Sequence, residues 1–437
     1  MGKQPDYDVV GIGIGPFNLG LAALSDGITD LRAVFFEARP TFDWHPGLLI
    51  DGATLQVPFL ADLVSLVCPT SRWSFLNYLH TRDRLFAYSF MDSPNPLRTE
   101  YNDYCQWVAN SLPSCRFGTR VESVTWDADH RYFVITTMTE ETGQQRIITS
   151  TNVAVGIGTE PVLPATLQAA AGDRVFHSAE YLERLSGLDG YRDITVIGSG
   201  QSGAEIFLDL LQQQGTQNRT LRWITRSRAF RPMAYSQLGL EHFTPDYTRY
   251  FYSLSQPVKD EILPSQWNLY NAISEETLAA IYGLLYQRTV GGRPPTEYLT
   301  PAAELESVWI HANGCELAFR QVEQDTRFMV DTECVIAATG YRRRPAEILK
   351  PIEHLITLDE AGRHQIGEDH RLILDEQVAG SVFVQNAEAH THGVSAPDLG
   401  LGACRNATII NRLAGRRVYR LPRKAAFTHF DAPYPAN

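Results

Sequence analysis

A glycine-rich turn near the start of the sequence has the residue types and spacing of a dinucleotide-binding loop. It follows a short apolar run and is formed by Gly11, Gly13, Gly15, Pro16 and Phe17. Glycine lets the backbone approach a pyrophosphate closely, and the helix predicted to follow offers unpaired N–H groups and the positive end of its dipole. Proline stands where the G-x-G-x-x-G pattern has its third glycine. It suits the first turn of a helix, because its missing N–H loses no hydrogen bond there.

A second turn later in the chain matches G-x-G-x-x-G in full. An apolar strand predicted at residues 194–197 precedes it, an amphipathic helix predicted at 204–211 follows it, and the turn contains Gly198, Gly200, Gln201, Ser202 and Gly203. Strand, turn and helix in this order are the context that the motif requires. Two such folds imply two dinucleotides, and we predict FAD on the first turn and NADPH on the second.

Charged residues at the ends of two predicted strands bear on the choice of nucleotide. The strand predicted at 33–36 ends in Glu37, which is placed to accept hydrogen bonds from a ribose. The strand predicted at 221–225 ends in Arg226 and Arg228, where an NAD-specific domain would carry an acid. Guanidinium groups fit a 2′-phosphate and therefore favour NADPH. The alternative at both strand ends is an ordinary solvated charge.

The predicted strands and helices around these turns indicate an α/β protein with two Rossmann-like dinucleotide-binding domains and a small helical substrate cap. We expect the FAD-binding domain at residues 1–165 plus 331–437 and the NADPH-binding domain at 166–240 plus 289–330. The cap is expected at 241–288, which is aromatic and interrupted by three prolines. A strand predicted at 334–338 leads into Thr339, Gly340 and Tyr341, a turn typical of the return to the first domain.

Composition and charge exclude several other classes of protein. A net charge of −12 argues against a nucleic-acid partner, since phosphate binding depends on Lys and Arg. The six cysteines form no C-x-x-C pair, and no apolar run is long enough for a membrane span, so we expect reduced thiols in a cytoplasmic protein. His390 and His392 lack a third ligand at metal spacing, and we predict no metal site.

The fate of the reduced flavin depends on the residues around it. A disulfide reductase would need a redox-active cysteine pair, which this sequence lacks. A monooxygenase would let the reduced flavin meet O₂ and form a C4a-hydroperoxide, which needs a dry pocket and no protein nucleophile. The absence of a catalytic dyad from the motifs favours the second chemistry.

Six ordered motifs resemble those of the flavin-dependent N-hydroxylating monooxygenases of siderophore biosynthesis. They are the first turn with its G-P-F-N-L sequence, residues 44–47, 56–63, 198–205, 338–341 and 391–393. The resemblance implies oxygen transfer from the C4a-hydroperoxyflavin to a neutral primary amine of lysine, ornithine or an aliphatic diamine. It implies that Trp44, His45 and Gln56 lie at the flavin in catalytic and cofactor-binding roles. It also implies a homo-oligomer.

Departures from the amino-acid hydroxylases concern the substrate. Ala61 stands where those enzymes have a lysine for the substrate carboxylate, and Gly400 stands where they have serine. The absence of both this lysine and this serine argues against an α-amino acid as the substrate, because its carboxylate would be buried without a partner, which costs several kcal/mol. A diamine would instead place its second ammonium on an acid, for which Glu241 and Asp398 are candidates, and Asn271 matches a substrate-contacting asparagine of the cap.

The overall match resembles the cadaverine N-hydroxylases of desferrioxamine biosynthesis most, with putrescine hydroxylases as close neighbours. One methylene changes discrimination by only about 1–3 kcal/mol, so the sequence does not separate the two diamines. Two alternatives stay open at this point. One is an L-lysine N6- or L-ornithine N5-monooxygenase with an unusual carboxylate site. The other is a nucleotide-binding redox sensor without turnover.

Overall fold

The computed structural model describes residues 4–214, 219–292 and 294–432. The strands are β1 Tyr7–Ile12, β2 Ala33–Phe36, β3 Cys115–Arg116, β4 Thr119–Asp127, β5 Tyr132–Thr139, β6 Gln145–Val155, β7 Thr159–Pro161, β8 Val175–His177, β9 Asp193–Ile197, β10 Thr220–Ile224, β11 Glu297–Thr300, β12 Ala303–His311, β13 Gly314–Gln321, β14 Thr326–Thr332, β15 Cys334–Ala337, β16 Tyr341–Arg343 and β17 Ser381–Val384. The helices are α1 Pro16–Ser25, α2 Phe75–Thr81, α3 Leu85–Ser89, α4 Arg98–Ser111, α5 Ala165–Gln168, α6 Tyr181–Arg184, α7 Gln201–Gln213, α8 Gln237–Leu240, α9 Pro245–Ser253, α10 Gln256–Ser265, α11 Glu275–Thr289, α12 Ala389–His392 and α13 Leu399–Leu413.

The first sheet has seven strands and carries the first glycine turn at the carboxyl end of β1. Its order is β3-β2-β1-β6-β5-β4, and β17 pairs with β6. The long strand β6 runs antiparallel to β5 at one end and parallel to β1 at the other, so it joins the β4–β6 meander to the nucleotide-binding part of the sheet. Helices α1, α4 and α13 pack together over β1.

The second sheet repeats the arrangement for the second turn. Its order is β11-β10-β9-β15-β8, and all its strand pairs are parallel. Parallel strands buried on both faces need helices as crossovers, and α7 and α11 supply one covering layer. The antiparallel strands β12, β13 and β14 pack on the other side. Two Rossmann-like units are thereby confirmed.

Two of the predicted domain boundaries are wrong in this architecture. Strand β15 lies between β9 and β8 in the middle of the second sheet, although it falls within the 331–437 segment assigned to the first domain. Helix α11 falls largely within the predicted cap at 241–288, yet it leads directly into β11 of the second sheet and buries Ile281 against α7. We therefore propose that the second unit extends to about residue 340 and that the cap ends before α11.

The cap proper consists of short helices that lie against the last part of the first unit. Helices α9 and α10 pack on α12, with Tyr247, Phe251 and Val394 in their shared core. Within the described ranges, no helix is both long and apolar enough to cross a bilayer.

Candidate active site

A cavity of 910 Å³ opens at the first glycine turn. Gly13, Gly15, Pro16, Phe17 and Glu37 all line it, as the sequence predicts for a nucleotide cradle. Gly13 has φ +83°, and a Cβ at this position would lie 2.5 Å from the carbonyl oxygen of Gly156. A Cβ on Gly15 would meet nothing within 4 Å, so the backbone there faces open space. Only glycine permits this turn, and its backbone is accessible to a ligand.

Asn18 holds the turn in shape. Its Nδ2 lies within hydrogen-bonding distance of the carbonyl oxygens of Ile12 (3.1 Å), Gly13 (2.9 Å) and Ala154 (3.2 Å). The carboxylate of Glu37 accepts the N–H of Ile14 at 3.0 Å. Sequence reasoning missed the role of Asn18. The available signal was an amide inside the otherwise apolar helix of the G-P-F-N-L motif.

Aromatic side chains form one wall of the cavity. Trp44, His45 and Tyr341 line it, and the His45 ring makes edge contacts with the other two, each with ring centres 5.2 Å apart. Burial, aided by the positive charges of Arg98 and Arg39, lowers the pKa of His45 to about 4. His45 is therefore neutral at physiological pH.

The rest of the 339–341 motif lies in the connection between the two units. The Thr339 hydroxyl donates to the carbonyl of Val162 at 2.5 Å, and the Gly340 carbonyl lies 3.0 Å from Nε2 of His177. Strands β7 and β16 form a two-stranded connection here. Of the three predicted cofactor residues in this motif, Tyr341 is the one that lines the cavity.

The second glycine turn has the same backbone requirement as the first. Gly198 has φ +126°, and a Cβ would lie 2.1 Å from the carbonyl oxygen of Ala338. A Cβ on Gly203 would lie 2.7 Å from the carbonyl oxygen of Gly198, so strand and helix approach closely. Gly200 precedes α7 as its N-cap, and Ser202 lies half-buried in the first turn of that helix.

The Gln201 side chain is used within the protein. Its Nε2 donates to Oε1 of Glu205 at 2.8 Å, and its Oε1 accepts the N–H of Ser274 at 2.7 Å. The two arginines predicted to bind a 2′-phosphate lie just beyond β10 and are exposed. Arg228 is 3.7 Å from Glu323, and its side chain keeps 75% of its exposure. Such a weak surface pair leaves the guanidinium available to an anion.

Three of the five predicted substrate residues come together. A Cβ built on Gly400 would lie 3.4 Å from Cβ of Ala61 and 3.2 Å from Oδ1 of Asp398. The apolar Leu66 is on the same side, 3.3 Å from that Cβ position. A Cβ on Gly402, one turn into α13, would lie 2.9 Å from the Phe17 ring. Helix α13, which carries Gly400, therefore also packs against Phe17, a residue that lines the nucleotide cavity.

Asp398 is the charged group of this cluster. Its Oδ1 accepts the N–H of Leu401 at 2.7 Å and thereby caps α13. Burial raises the pKa of Asp398 to about 6. Tyr235 lies close by, and burial and the Asp398 charge together raise the pKa of its phenol.

The structure contradicts the prediction that Glu241 binds the substrate, because the C-terminal tail occupies its carboxylate. Its Oε1 accepts the N–H of Phe427 at 2.8 Å, and its Oε2 accepts the N–H of Thr428 at 2.8 Å and the Thr428 hydroxyl. These hydrogen bonds, the one from the Thr428 hydroxyl first, lower the pKa of Glu241. Its role is to hold the tail on the cap, not to bind an ammonium.

Asn271 does not join the Ala61 cluster through any contact in the structure. Its carbonyl oxygen lies 3.7 Å from the Cβ position of Gly200, and its side chain is exposed. The residue therefore lies at the second glycine turn, where the cap meets α7. A contact to substrate stays a prediction.

A buried ion pair supports the loop between β17 and α13, and sequence reasoning missed it. Nε of Arg405 is 3.0 Å from Oε1 of Glu388, and the two side chains keep 3% and 0% of their exposure. The guanidinium lies 4.6 Å from the centre of the Phe17 ring. Burial opposes ionisation of Glu388, but Arg405 and then His370 outweigh it and hold its pKa at about 2. The signal for this pair was weak, since the partners belong to different elements, Glu388 just before α12 and Arg405 within α13.

The geometry defines a class of enzyme. Each Rossmann-like unit carries a glycine cradle that a side chain would fill, and the first opens on a cavity large enough for a dinucleotide. The chain is therefore built as a two-dinucleotide oxidoreductase. Residues 5–343 match the family model described as L-lysine 6-monooxygenase/L-ornithine 5-monooxygenase, and the chain belongs to this family of flavin-dependent N-hydroxylating monooxygenases.

Similar proteins extend along the whole chain. The rhizobactin siderophore biosynthesis protein RhbE of Rhizobium meliloti is 43% identical over 98% of this chain and 96% of its own length. A putrescine N-hydroxylase of Shewanella oneidensis is 39% identical over 97% of this chain and 84% of its own. The crystal structure of FAD-bound DfoA, the cadaverine monooxygenase of desferrioxamine biosynthesis in Erwinia amylovora, has a TM-score of 0.93 at 39% identity, covering 98% of this chain and 99% of that chain.

These relationships confirm several predictions. The enzyme depends on FAD and NADPH, and its reaction is the flavin-dependent N-hydroxylation of a diamine or an amino acid in siderophore biosynthesis. The first turn, with Glu37 beside it, fits FAD by its open backbone and cavity. The second fits a nicotinamide dinucleotide by its glycine turn at the start of α7.

Proposed function

We propose that the enzyme N-hydroxylates one primary amine of an aliphatic diamine, with cadaverine preferred and putrescine next, for a hydroxamate siderophore of the desferrioxamine type. The observation that carries this proposal is the Ala61–Asp398–Gly400 cluster. At the two positions where the resemblance to amino-acid hydroxylases predicts lysine and serine, this chain has no side-chain donor. The charged group in the cluster is the carboxylate of Asp398.

Electrostatics separate the two substrate classes at this cluster. The carboxylate of an amino acid would meet the like charge of Asp398, and Arg405, the cation that acts on Asp398, is already paired with Glu388 at 3.0 Å. Two like charges near a protein interior repel by several kcal/mol. The distal ammonium of a diamine would instead form a charge-assisted hydrogen bond with the same carboxylate. Ala61 and Leu66 leave the neighbouring surface apolar, which suits a methylene chain.

The protein residues then have distinct tasks. When bound, FAD reduced by NADPH would supply the activated oxygen. Asp398 holds one end of the substrate, so that the other amine faces the cavity. Trp44 and Tyr341 exclude water with their rings, and His45 between them is neutral and adds no positive charge that would repel an ammonium. Gln56 contributes an amide at the flavin.

The relatives support the diamine proposal without deciding the chain length. The similar proteins include a putrescine N-hydroxylase and a cadaverine monooxygenase at equal identity, 39% each. An L-lysine N6-monooxygenase of Escherichia coli is more distant, at 33% identity. The family also contains amino-acid hydroxylases, so L-lysine and L-ornithine are the comparison substrates.

Hydroxylamine formation with cadaverine, putrescine, L-lysine and L-ornithine tests the proposal. We expect both diamines to exceed both amino acids in kcat/KM by at least about 100-fold, which corresponds to the repulsion or loss of one charge-assisted contact of about 3 kcal/mol. NADPH oxidation is recorded beside product, because uncoupled turnover consumes NADPH without hydroxylamine. If L-lysine exceeds both diamines, the argument from the Ala61 cluster is wrong.

The assignment of Arg226 to the 2′-phosphate has its own test. We expect Arg226→Ala to raise the KM for NADPH about 10-fold and to leave the KM for NADH nearly unchanged, because NADH lacks that phosphate. Arg416→Ala is a matched control, since Arg416 is another exposed arginine and pairs with Asp30 at 2.9 Å in the first unit. Equal effects of Arg226→Ala on both nucleotides would remove the proposed role.

A further inference from the structure

A buried ion pair joins the two nucleotide-binding units next to Gln56. Nη1 of Arg98, the first residue of α4, lies 2.7 Å from Oε2 of Glu205, which belongs to α7. The two side chains keep only 12% and 5% of their exposure. Buried charges of this kind are costly to desolvate, and such a pair often fixes one arrangement more than it adds stability.

The pair surrounds the Gln56 amide with complementary charges. Oε1 of Gln56 lies 3.4 Å from Nη2 of Arg98, and its Nε2 lies 3.5 Å from Oε1 of Glu205. The same Nε2 donates to the carbonyl of Thr54 at 2.9 Å. A reversed amide would direct N–H groups at the guanidinium and its oxygen at the carboxylate. The surroundings therefore specify one of the two amide orientations.

Glu205 is itself fixed from the side of the second nucleotide turn. Gln201, the first residue of α7, donates to Oε1 of Glu205 at 2.8 Å and to the Thr277 hydroxyl at 3.1 Å. Gln201 also accepts the N–H of Ser274. The chain of contacts runs from α7, the helix that follows the NADPH turn, through Glu205 to Gln56. We call the loop that contains Gln56 the flavin-side loop.

We propose that Arg98 and Glu205 are positioning residues that orient the Gln56 amide and make its orientation depend on the placement of the NADPH-binding helix. This inference rests on the proposed position of Gln56 at the flavin. The pair acts through Gln56 and does not touch the substrate. Its consequence is that the flavin-side loop adopts its working arrangement when the two units are correctly docked.

Glu205→Gln is the direct test, since it keeps the shape and removes the charge. An amide cannot accept from Arg98, Gln201 and Gln56 together, because one of its two heteroatoms becomes a donor. We expect hydroxylamine formed per NADPH oxidised to fall at least about 3-fold, or about 0.65 kcal/mol. We also expect the change in FAD absorption that NADP⁺ induces to differ from that of the unmodified enzyme.

Glu297→Gln is the matched control. Glu297 is also a shielded carboxylate paired with an arginine, Arg288 at 3.2 Å, but this pair lies within the second unit and away from Gln56. We expect its product ratio, the hydroxylamine formed per NADPH oxidised, and its FAD spectrum to match those of the unmodified enzyme. If Glu205→Gln does not bind FAD, Arg98→Lys, which keeps the charge and loses the planar fork, is measured in the same way.

A double-mutant cycle separates a positioning role from a merely structural one. If Glu205 acts through Gln56, Gln56→Ala combined with Glu205→Gln will have the product ratio and FAD spectrum of Gln56→Ala alone. Additive effects, or a Glu205→Gln enzyme that equals the Glu297→Gln control, would overturn the inference. If the unmodified enzyme hydroxylates no amine, the proposed function fails, and the FAD spectra of the same variants still decide the positioning role.

Discussion

Asp398→Asn is expected to raise the KM for the diamine by about 10- to 100-fold, because a hydrogen bond to a charged group contributes about 1.5–3 kcal/mol. The asparagine side chain can still accept the N–H of Leu401, so the cap of α13 is retained. The variant therefore removes the charge and keeps the fold. Steady-state kinetics with cadaverine and thermal unfolding on the same preparation measure both effects.

The pH dependence of binding provides an independent check on the same carboxylate. Burial raises the pKa of Asp398 to about 6, so its charged form predominates above that pH and is lost as pH falls through it. Diamine affinity should therefore decline below about pH 6, while the distal ammonium stays protonated throughout. In Asp398→Asn this decline should be absent.

Asp246→Asn is the control for a general charge effect. Asp246 is another carboxylate of the cap, but it accepts the N–H of Ala425 in the C-terminal tail at 2.6 Å. We expect little change in the KM for the diamine from this variant. If Asp246→Asn and Asp398→Asn raise the KM equally, the ammonium is held by the overall charge of the cap and not by the cluster at Gly400.

The parts of the site that sequence predicts well are local in the chain. Gly13 and Glu37 belong to one strand–turn–helix–strand unit, in which the spacing of residues fixes their positions before any distant contact forms. Ala61 and Gly400 are different. They meet across the fold, and only the resemblance to a family connected them before the structure was known.

The parts that sequence did not predict depend on tertiary contacts. Arg98 and Glu205 are each ordinary helix residues, and nothing near either one in sequence identifies its partner. Glu241 has the charge that an ammonium needs, yet backbone groups of a tail almost 190 residues away occupy it. Charge and residue type indicate what a side chain can bind, whereas packing decides what it does bind.

The errors in the domain boundaries have a similar cause. A buried parallel strand such as β15 has an apolar sequence whichever sheet it joins. Its local sequence pattern therefore does not identify β8 and β9 as the strands that pair with it. Likewise, α11 follows the aromatic cap directly, and nothing in its own sequence shows that it packs on α7 through Ile281. Strand order, which settles both questions, is a property of the whole chain.

Glu388→Gln is expected to have the largest effect on stability. Removing one partner of a buried ion pair leaves the other charge uncompensated, which costs about 3–5 kcal/mol. Arg405 would remain as a buried cation against the Phe17 ring, at the edge of the FAD cavity. We therefore expect weaker FAD retention together with a lower midpoint of urea unfolding, monitored by flavin release and tryptophan fluorescence.

The pH dependence of this loss identifies its origin. The folded-state pKa of Glu388, about 2, is below its usual value of 4.5, so the ionised carboxylate stabilises the fold above about pH 4.5 and loses this effect as pH falls towards 2. The difference in unfolding free energy between the unmodified enzyme and Glu388→Gln should shrink over that interval. Glu297→Gln, which affects a more accessible pair, should cost less at neutral pH. A difference that stays constant with pH would mean that packing, not charge, holds this loop, because a packing defect does not depend on the ionisation of Glu388.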